Sequence, residues 1–272
     1  MRVSNTGSSA FSLVELSIVL VILGLLTGGI LAGQSLIRAS ELRSVTTEYQ
    51  RYVTAAQTFR DKYFAIPGEM AGATRFWTRQ VNAAHCVTNS AAAVGTPGTC
   101  DGNGNGIINI SSVVSQSAEG YQFWRQLALA GLIEGSYTGL GTATHGFDAT
   151  PGSNIPTSKI SNAGWVLSSS AGGLGNTDIY EMDYGNLFSF GTKVSTSVYM
   201  RGMALRPEEL WNIDTKLDDG RPAYGNVIAM FWGNAANTTR CTINAVDEND
   251  LNSDYNLVNP NISCGAIFRN LF

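Results

Sequence analysis

Hydrophobic and polar positions divide the start of the chain into two regimes. Residues 16–37 carry no charged side chain. That run is about long enough to cross a bilayer as a helix, which takes roughly 20 apolar residues. Just before it, in Ala10-Phe11-Ser12-Leu13-Val14-Glu15, stands a single ionisable group, Glu15. A charge within an apolar segment is costly and marks function when it finds a partner. Beyond residue 37 the pattern changes. Leu36, Ile37, Leu42, Val45, Tyr49, Tyr52, Val53, Ala56 and Phe59 recur every three to four positions, with Arg38, Glu41, Arg43, Glu48, Arg51, Arg60, Asp61 and Lys62 between them. This is the signature of an amphipathic helix with one face on a core. No proline intervenes before Pro67. Phe64-Ala65-Ile66-Pro67-Gly68 reads as the stop, because proline disfavours helix in the residue before it. The spacing therefore predicts one helix over 11–63, about 80 Å long at 1.5 Å per residue.

Further along, the signals shorten. A second helix is expected over 117–133, with Tyr121, Phe123, Trp124, Leu127, Ala128, Leu129 and Leu132 apolar and Gly131 and Gly135 at its end. Strands are expected over 164–168, 179–182, 187–190, 198–204 and 227–232, and a short helix over 208–213 after Pro207. A long helix laid on an antiparallel sheet makes the class α+β.

Composition narrows the functional classes. The chain has 272 residues, a net charge of −4, 14% charged residues and 30 glycines. About 200 residues follow the long helix, enough for one sizeable head. The head is not basic enough to indicate nucleic-acid binding. Its histidines are His85 and His145, distant in sequence, and no Gly-x-Ser-x-Gly, Walker or His-Glu-x-x-His motif occurs; no enzyme is expected. Trp77, Trp124, Trp165, Trp211 and Trp232 are scattered in a manner that suits core packing better than a sugar-binding face. Gly24, Gly28, Gly29 and Gly33 in the apolar run allow close helix–helix approach; the alternative is that Gly28-Gly29 lets the helix stretch or melt locally.

A removed signal peptide fits poorly, since the apolar run exceeds a signal h-region of roughly 7–15 residues. An uncleaved anchor fits the length but leaves Glu15 unexplained. Residues 1–10 form a short polar leader with one basic side chain, Arg2, and Glu15 is the fifth residue after Ala10. With Phe-Ser-Leu-Val-Glu-Leu-Ser-Ile-Val-Leu-Val-Ile-Leu-Gly, this segment resembles the processing signal of type IV pilins and the pseudopilins of type II secretion. The resemblance covers about the first 30 residues. It implies cleavage between Ala10 and Phe11 by a prepilin peptidase and N-methylation of Phe11. The family strongly prefers Gly before the cut, where this chain has Ala10. The resemblance further implies that the Phe11 amine pairs with Glu15, of the same or a neighbouring subunit, during assembly. It implies a type IV pilin-like fold, with a long N-terminal helix packed on a β-rich, loop-rich globular head. The organisation expected is a leader (1–10), a transmembrane or filament-core half-helix (11–37), an amphipathic half-helix packed on the head (38–66) and the head itself (67–272).

The function implied is that of a structural subunit of a type IV pilus-like filament, a homo-oligomer. A secretion pseudopilin or minor pilin is the near alternative, and a monomeric membrane-anchored binding protein the alternative of another class. Expected partners are the peptidase, an inner-membrane assembly platform, other pilins and the membrane. The expected location is the inner membrane, single-pass with the head outside the cytoplasm, and then an extracellular or periplasmic filament.

Two chemistries remain in the head. Cys86, Cys100, Cys241 and Cys264 allow three pairings; Cys86–Cys100 and Cys241–Cys264 are the simplest. An oxidising compartment favours disulfides, and zinc, the rival, lacks C-x-x-C spacing. The second loop resembles the disulfide-bounded C-terminal region of type IV pilins. Asp101-Gly102-Asn103-Gly104-Asn105-Gly106-Ile107 places oxygens at positions one, three and five, glycine at six and the Ile107 carbonyl at seven, as in an EF-hand-type loop. The twelfth position is Ser112 rather than Glu; Glu119 is the candidate carboxylate in its stead. No cofactor is required, and Ca2+ is the candidate ion. An Asn-Gly-rich turn without an ion is the alternative. Asp214, Asp218 and Asp219 form a second acidic turn; Asp247, Glu248, Asp250 and Asp254 form a third, inside the second cysteine loop.

Overall fold

The computed structural model describes residues 12–80, 86, 95, 97–108, 119–141, 148–169, 179–193, 200, 202–230, 240–243, 250–269 and 271. The chain divides into two compact units, Met1–Arg43 and Ser44–Phe272. A long N-terminal apolar helix followed by an antiparallel-sheet head is the observed arrangement, α+β in class and consistent with a pilin-like architecture.

The helix α1 spans Leu13–Tyr63. Its start is a capping box. The Val14 amide donates to Ser12 Oγ at 3.3 Å, and the Ser12 amide donates to Glu15 Oε2 at 2.9 Å. Each bond satisfies an N–H that has no intrahelical partner. The helix ends where expected: Phe64 adopts φ 53° and stands 93% exposed, three residues ahead of Pro67. The acid in its first turn and Arg60 and Lys62 in its last complement the helix dipole.

Within the first unit, α1 is long and apolar enough to span a membrane, and none of that apolar window is buried. Within the second unit, its continuation packs on the head. Val45, Glu48, Tyr52, Ala55, Ala56 and Phe59 are buried, following the three-to-four spacing of the sequence.

The head is built on a four-stranded antiparallel sheet of order β1-β2-β6-β3, from β1 (Ala163–Ser169), β2 (Asn186–Thr192), β3 (Val227–Met230) and β6 (Gly265–Phe268). β4 (Thr242–Ile243) and β5 (Asp254–Tyr255) form a separate antiparallel pair. Register places Trp165 opposite Phe190, Leu167 opposite Phe188, and Phe188 opposite Phe268, so these side chains share one face. That face meets α1. Tyr49 stacks on Phe268 at 4.6 Å, and Tyr52 meets Trp165 edge-on at 5.9 Å. The helix α3 (Glu119–Leu129) adds Phe123 and Trp124, the latter stacked on Phe188 at 5.4 Å. Edge-to-face and offset pairs of this kind add about 0.5–1.5 kcal/mol beyond the area they bury. The buried carboxylate of Glu48 accepts from Trp165 Nε1 at 2.8 Å and from the Lys159 amide at 3.2 Å, tying α1 to β1.

Other elements follow or depart from the pattern for identifiable reasons. α3 ends in a Schellman motif: Gly131, at φ 72°, donates to Ala128 O, and Leu132 donates to Leu127 O. α4 spans Pro207–Leu217, longer than expected, with Pro at its start and the Glu209 carboxylate accepting from the Arg206 amide. The strand expected over 179–182 is instead a single bridge residue, Ile179, followed by a bend at 181–182, and the Tyr184 hydroxyl donates to Tyr180 O. Of the strand expected over 198–204, the described residues form a single isolated bridge, Gly202 opposite Thr192. Residues 231 and 232 of the fifth expected strand lie outside the described residues, and 227–230 are β3.

Candidate functional site

Three places carry the residues singled out by the sequence. The first is the start of α1. Ala10 and Phe11 lie outside the described residues. Glu15 is described, and its carboxylate engages the Ser12 amide in the capping box. Sequence reasoning missed that role, although Ser-x-x-Glu ahead of an apolar run is its signature. The hydrogen bond orients the carboxylate without cancelling its charge. Along the same stretch Leu16, Ile18, Val19, Leu20, Leu25 and Leu36 are exposed. A largely apolar, uncharged surface of this kind requires lipid or protein to cover it.

The second is the 101–107 loop, held by the elements around it. The Thr74 amide and hydroxyl donate to the two oxygens of Asp101, at 2.7 and 3.0 Å, which fixes the start of α2 (Thr74–Trp77). On α3, Gln122 Oε1 accepts from the Cys100 amide, while Gln126 donates to Cys100 O and accepts from the Gly68 amide. The loop then lies flat on the chain at residues 68 and 69. A Cβ at Gly102 would sit 2.3 Å from the Glu69 carbonyl carbon, and one at Gly68, where φ is 83°, 2.3 Å from Glu119 O. Only glycine permits either approach.

The oxygens of this loop are not all turned to one point. Asp101 is committed to Thr74. Asn103 Oδ1 accepts from the Asn105 amide and Asn105 Oδ1 from the Ile107 amide, two successive Asx turns. Asn105 and Ile107 are exposed. Beneath the loop lie two buried carboxylates. Glu119, at the first turn of α3, accepts from the Asn103 amide through Oε1 at 3.3 Å. Glu69 accepts from the Gly106 amide through Oε2 at 2.9 Å. Glu69 carried no sequence signal, since a lone acid in Pro-Gly-Glu-Met belongs to no spaced motif. An open cleft of about 890 Å³ adjoins the loop, with Arg60, Asp61, Phe64, Glu69, Gly104 and Gly106 among its lining.

The third is the turn after α4. Asp214, Asp218 and Asp219 bring carboxylate oxygens within 4.8 Å of one another. Asp214 is fully buried, accepting from the Tyr255 hydroxyl at 2.8 Å and from the Gly220 amide at 3.2 Å. Burial, above all, and the neighbouring Asp219 and Asp218 push its pKa up from 3.8 to about 7, against the opposing effect of its two hydrogen bonds. Asp218 Oδ2 accepts from the Asn226 and Val227 amides, fastening the turn to β3.

The disulfides are Cys86–Cys100 and Cys241–Cys264. The first immediately precedes the 101–107 loop. The second joins the entry of β4 to the entry of β6. Of the third acidic group, Asp247 and Glu248 lie outside the described residues; Asp254 is an exposed residue of β5.

No family model, curated protein or solved structure matches the chain.

Proposed function

We propose that the protein is a structural subunit of a type IV pilus-like filament, processed between Ala10 and Phe11 and assembled through its N-terminal helix. One observation carries the reading: a long, exposed, predominantly apolar and uncharged helical surface with a single carboxylate in its first turn. In this reading the surface sits in the inner membrane before assembly and against the same helix of other copies afterwards. The amine freed at Phe11 lies about one turn from Glu15, a short reach at 5.4 Å per turn. Pairing two charges in an apolar medium removes much of the cost that each bears alone, so the contact selects a correctly registered neighbour without a large polar interface. The peptidase, assembly platform and other pilins are the partners this implies. A minor pilin or a secretion pseudopilin would use the same chemistry. The head contributes a disulfide-braced outer surface.

The capping box favours a second reading. A membrane-tethered, monomeric binding protein would use Glu15 only to start its helix. The two readings separate on the N-terminus of the mature protein in sheared surface filaments. N-methyl-Phe11 recovered there supports the filament subunit. An intact Met1, recovered only from membranes, overturns it in favour of the tether.

A further inference from the structure

Among the described residues of the head, Glu69 is a buried carboxylate, 3% exposed, with an enclosed oxygen, Oε1, that has no hydrogen-bond partner. Among the described residues it makes no ion pair. Its other oxygen holds the Gly106 amide. A buried carboxylate with one free oxygen bears a large desolvation cost unless a cation, a proton or water meets it. Glu119, 1% exposed, reaches the same loop three residues earlier, at the Asn103 amide. Two enclosed acids therefore lie beneath one short stretch of glycine and asparagine.

We propose that Glu69, Glu119 and the 103–106 stretch bind one divalent cation of the calcium class, with Glu69 Oε1 as its principal carboxylate ligand. The ligand set is entirely oxygen and includes two carboxylates, which selects a hard cation over zinc or copper. The side chains of Asn103 and Asn105 each retain an acceptor lone pair beyond their Asx turns. Ions reach the site from the cleft, where Asp61 adds a third negative group at the mouth. Asp101, the first oxygen of the sequence motif, plays no part, because Thr74 holds both of its oxygens. The ligand set is thus assembled across the fold, from the turn after α1, the loop and the first turn of α3, not along one EF-hand-type segment.

The function of such an ion is structural. It would join three segments otherwise linked by a few hydrogen bonds, the Gly102 amide to Met70 O and the Asn103 and Gly106 amides to Glu119 and Glu69, and so brace the floor of the cleft. Affinity in the range of extracellular modules, a Kd of about 10⁻⁴–10⁻³ M, fits two carboxylates and a partly exposed loop.

The test uses the full chain in detergent, with calcium titrated against the thermal midpoint and terbium luminescence sensitised by the head's tyrosines and tryptophans. Calcium is expected to raise the midpoint, and to displace one terbium ion. Glu69→Gln, which keeps the side chain's shape, is expected to weaken binding by about tenfold or more, since affinity follows ligand charge. Asp219→Asn, in the other acidic turn, is expected to leave binding unchanged. Wild-type protein whose midpoint is the same in chelator and in millimolar calcium overturns the proposal, and this arm does not depend on any variant folding. So does binding that survives Glu69→Gln or disappears in Asp219→Asn. A further contrary outcome is a calcium-independent loss of stability shared by Glu69→Gln and Arg60→Ala, which would make Arg60 the partner of Glu69.

Discussion

At the scale of residues, two carboxylates show how much a neighbour decides. Glu15 stands out in the sequence as a charge among apolar side chains. Its capping bond to Ser12 gives it a local use, and the proposed filament gives it an intermolecular one. Glu15→Gln separates them, because glutamine keeps the acceptor and removes the charge. Assembly through a charge pair predicts normal membrane insertion with filament yield lowered at least about tenfold, as an unpaired buried charge costs on the order of 3–5 kcal/mol. Filaments at wild-type level from Glu15→Gln, counted in sheared fractions, would show that capping suffices. Asp214 offers a second test. Its folded pKa of about 7 lies above the ordinary 3.8, so the folded state holds a proton that the unfolded chain has released. Stability is therefore predicted to fall as pH rises from about 4 to about 7 and to level off above that. Asp214→Asn should flatten that slope and raise the thermal midpoint at pH 8. An unchanged slope in thermal melts across this range would contradict the assignment.

Among the elements, legibility followed the length and regularity of the pattern. α1 was readable almost to the residue, since its apolar run, its three-to-four spacing and Pro67 all agree. α3 was readable from its spacing and from Gly131, which sits where a Schellman motif needs a left-handed residue. β6 escaped the sequence reading although it lies between β2 and β3 in the sheet. Gly265-Ala266-Ile267-Phe268 is short, buried on both faces and without alternation, so it carries no period to detect. The segment 179–182 was misread as a strand because Ile179 and Tyr180 look like strand residues; only Ile179 is bridged, and the chain bends at 181–182, with a local bond from the Tyr184 hydroxyl to Tyr180 O. Two predictions belong here. Phe188→Ala, at the junction of α1, α3 and the sheet, should cost about 3–5 kcal/mol, as read by denaturant unfolding. Replacing Cys241 and Cys264 by serine should cost about 2–5 kcal/mol and destabilise β6, a loss measurable by hydrogen exchange at residues 265–268.

At the scale of the whole molecule, the sequence displayed the ends of the design and hid its middle. The apolar start and the α+β class were legible because they depend on local pattern. The cleft beside Glu69 was not, because residues 60, 69, 104 and 106 meet only through the packing of the head. The same distinction bears on Glu48. Its carboxylate joins α1 to Trp165 of β1 and to the backbone of Lys159, beside the stacked ring of Tyr49. In the proposed filament under tension, load carried along α1 would reach the head through these side-chain contacts, with no backbone ladder among the described residues beside the covalent chain that continues at Phe64. Such contacts yield by sliding one at a time, whereas ladder bonds in a sheet share force. Glu48 is thus placed to set the force at which the helix parts from the head. Pulling on single molecules should find that Glu48→Gln lowers this rupture force while the four-stranded sheet still unfolds as before.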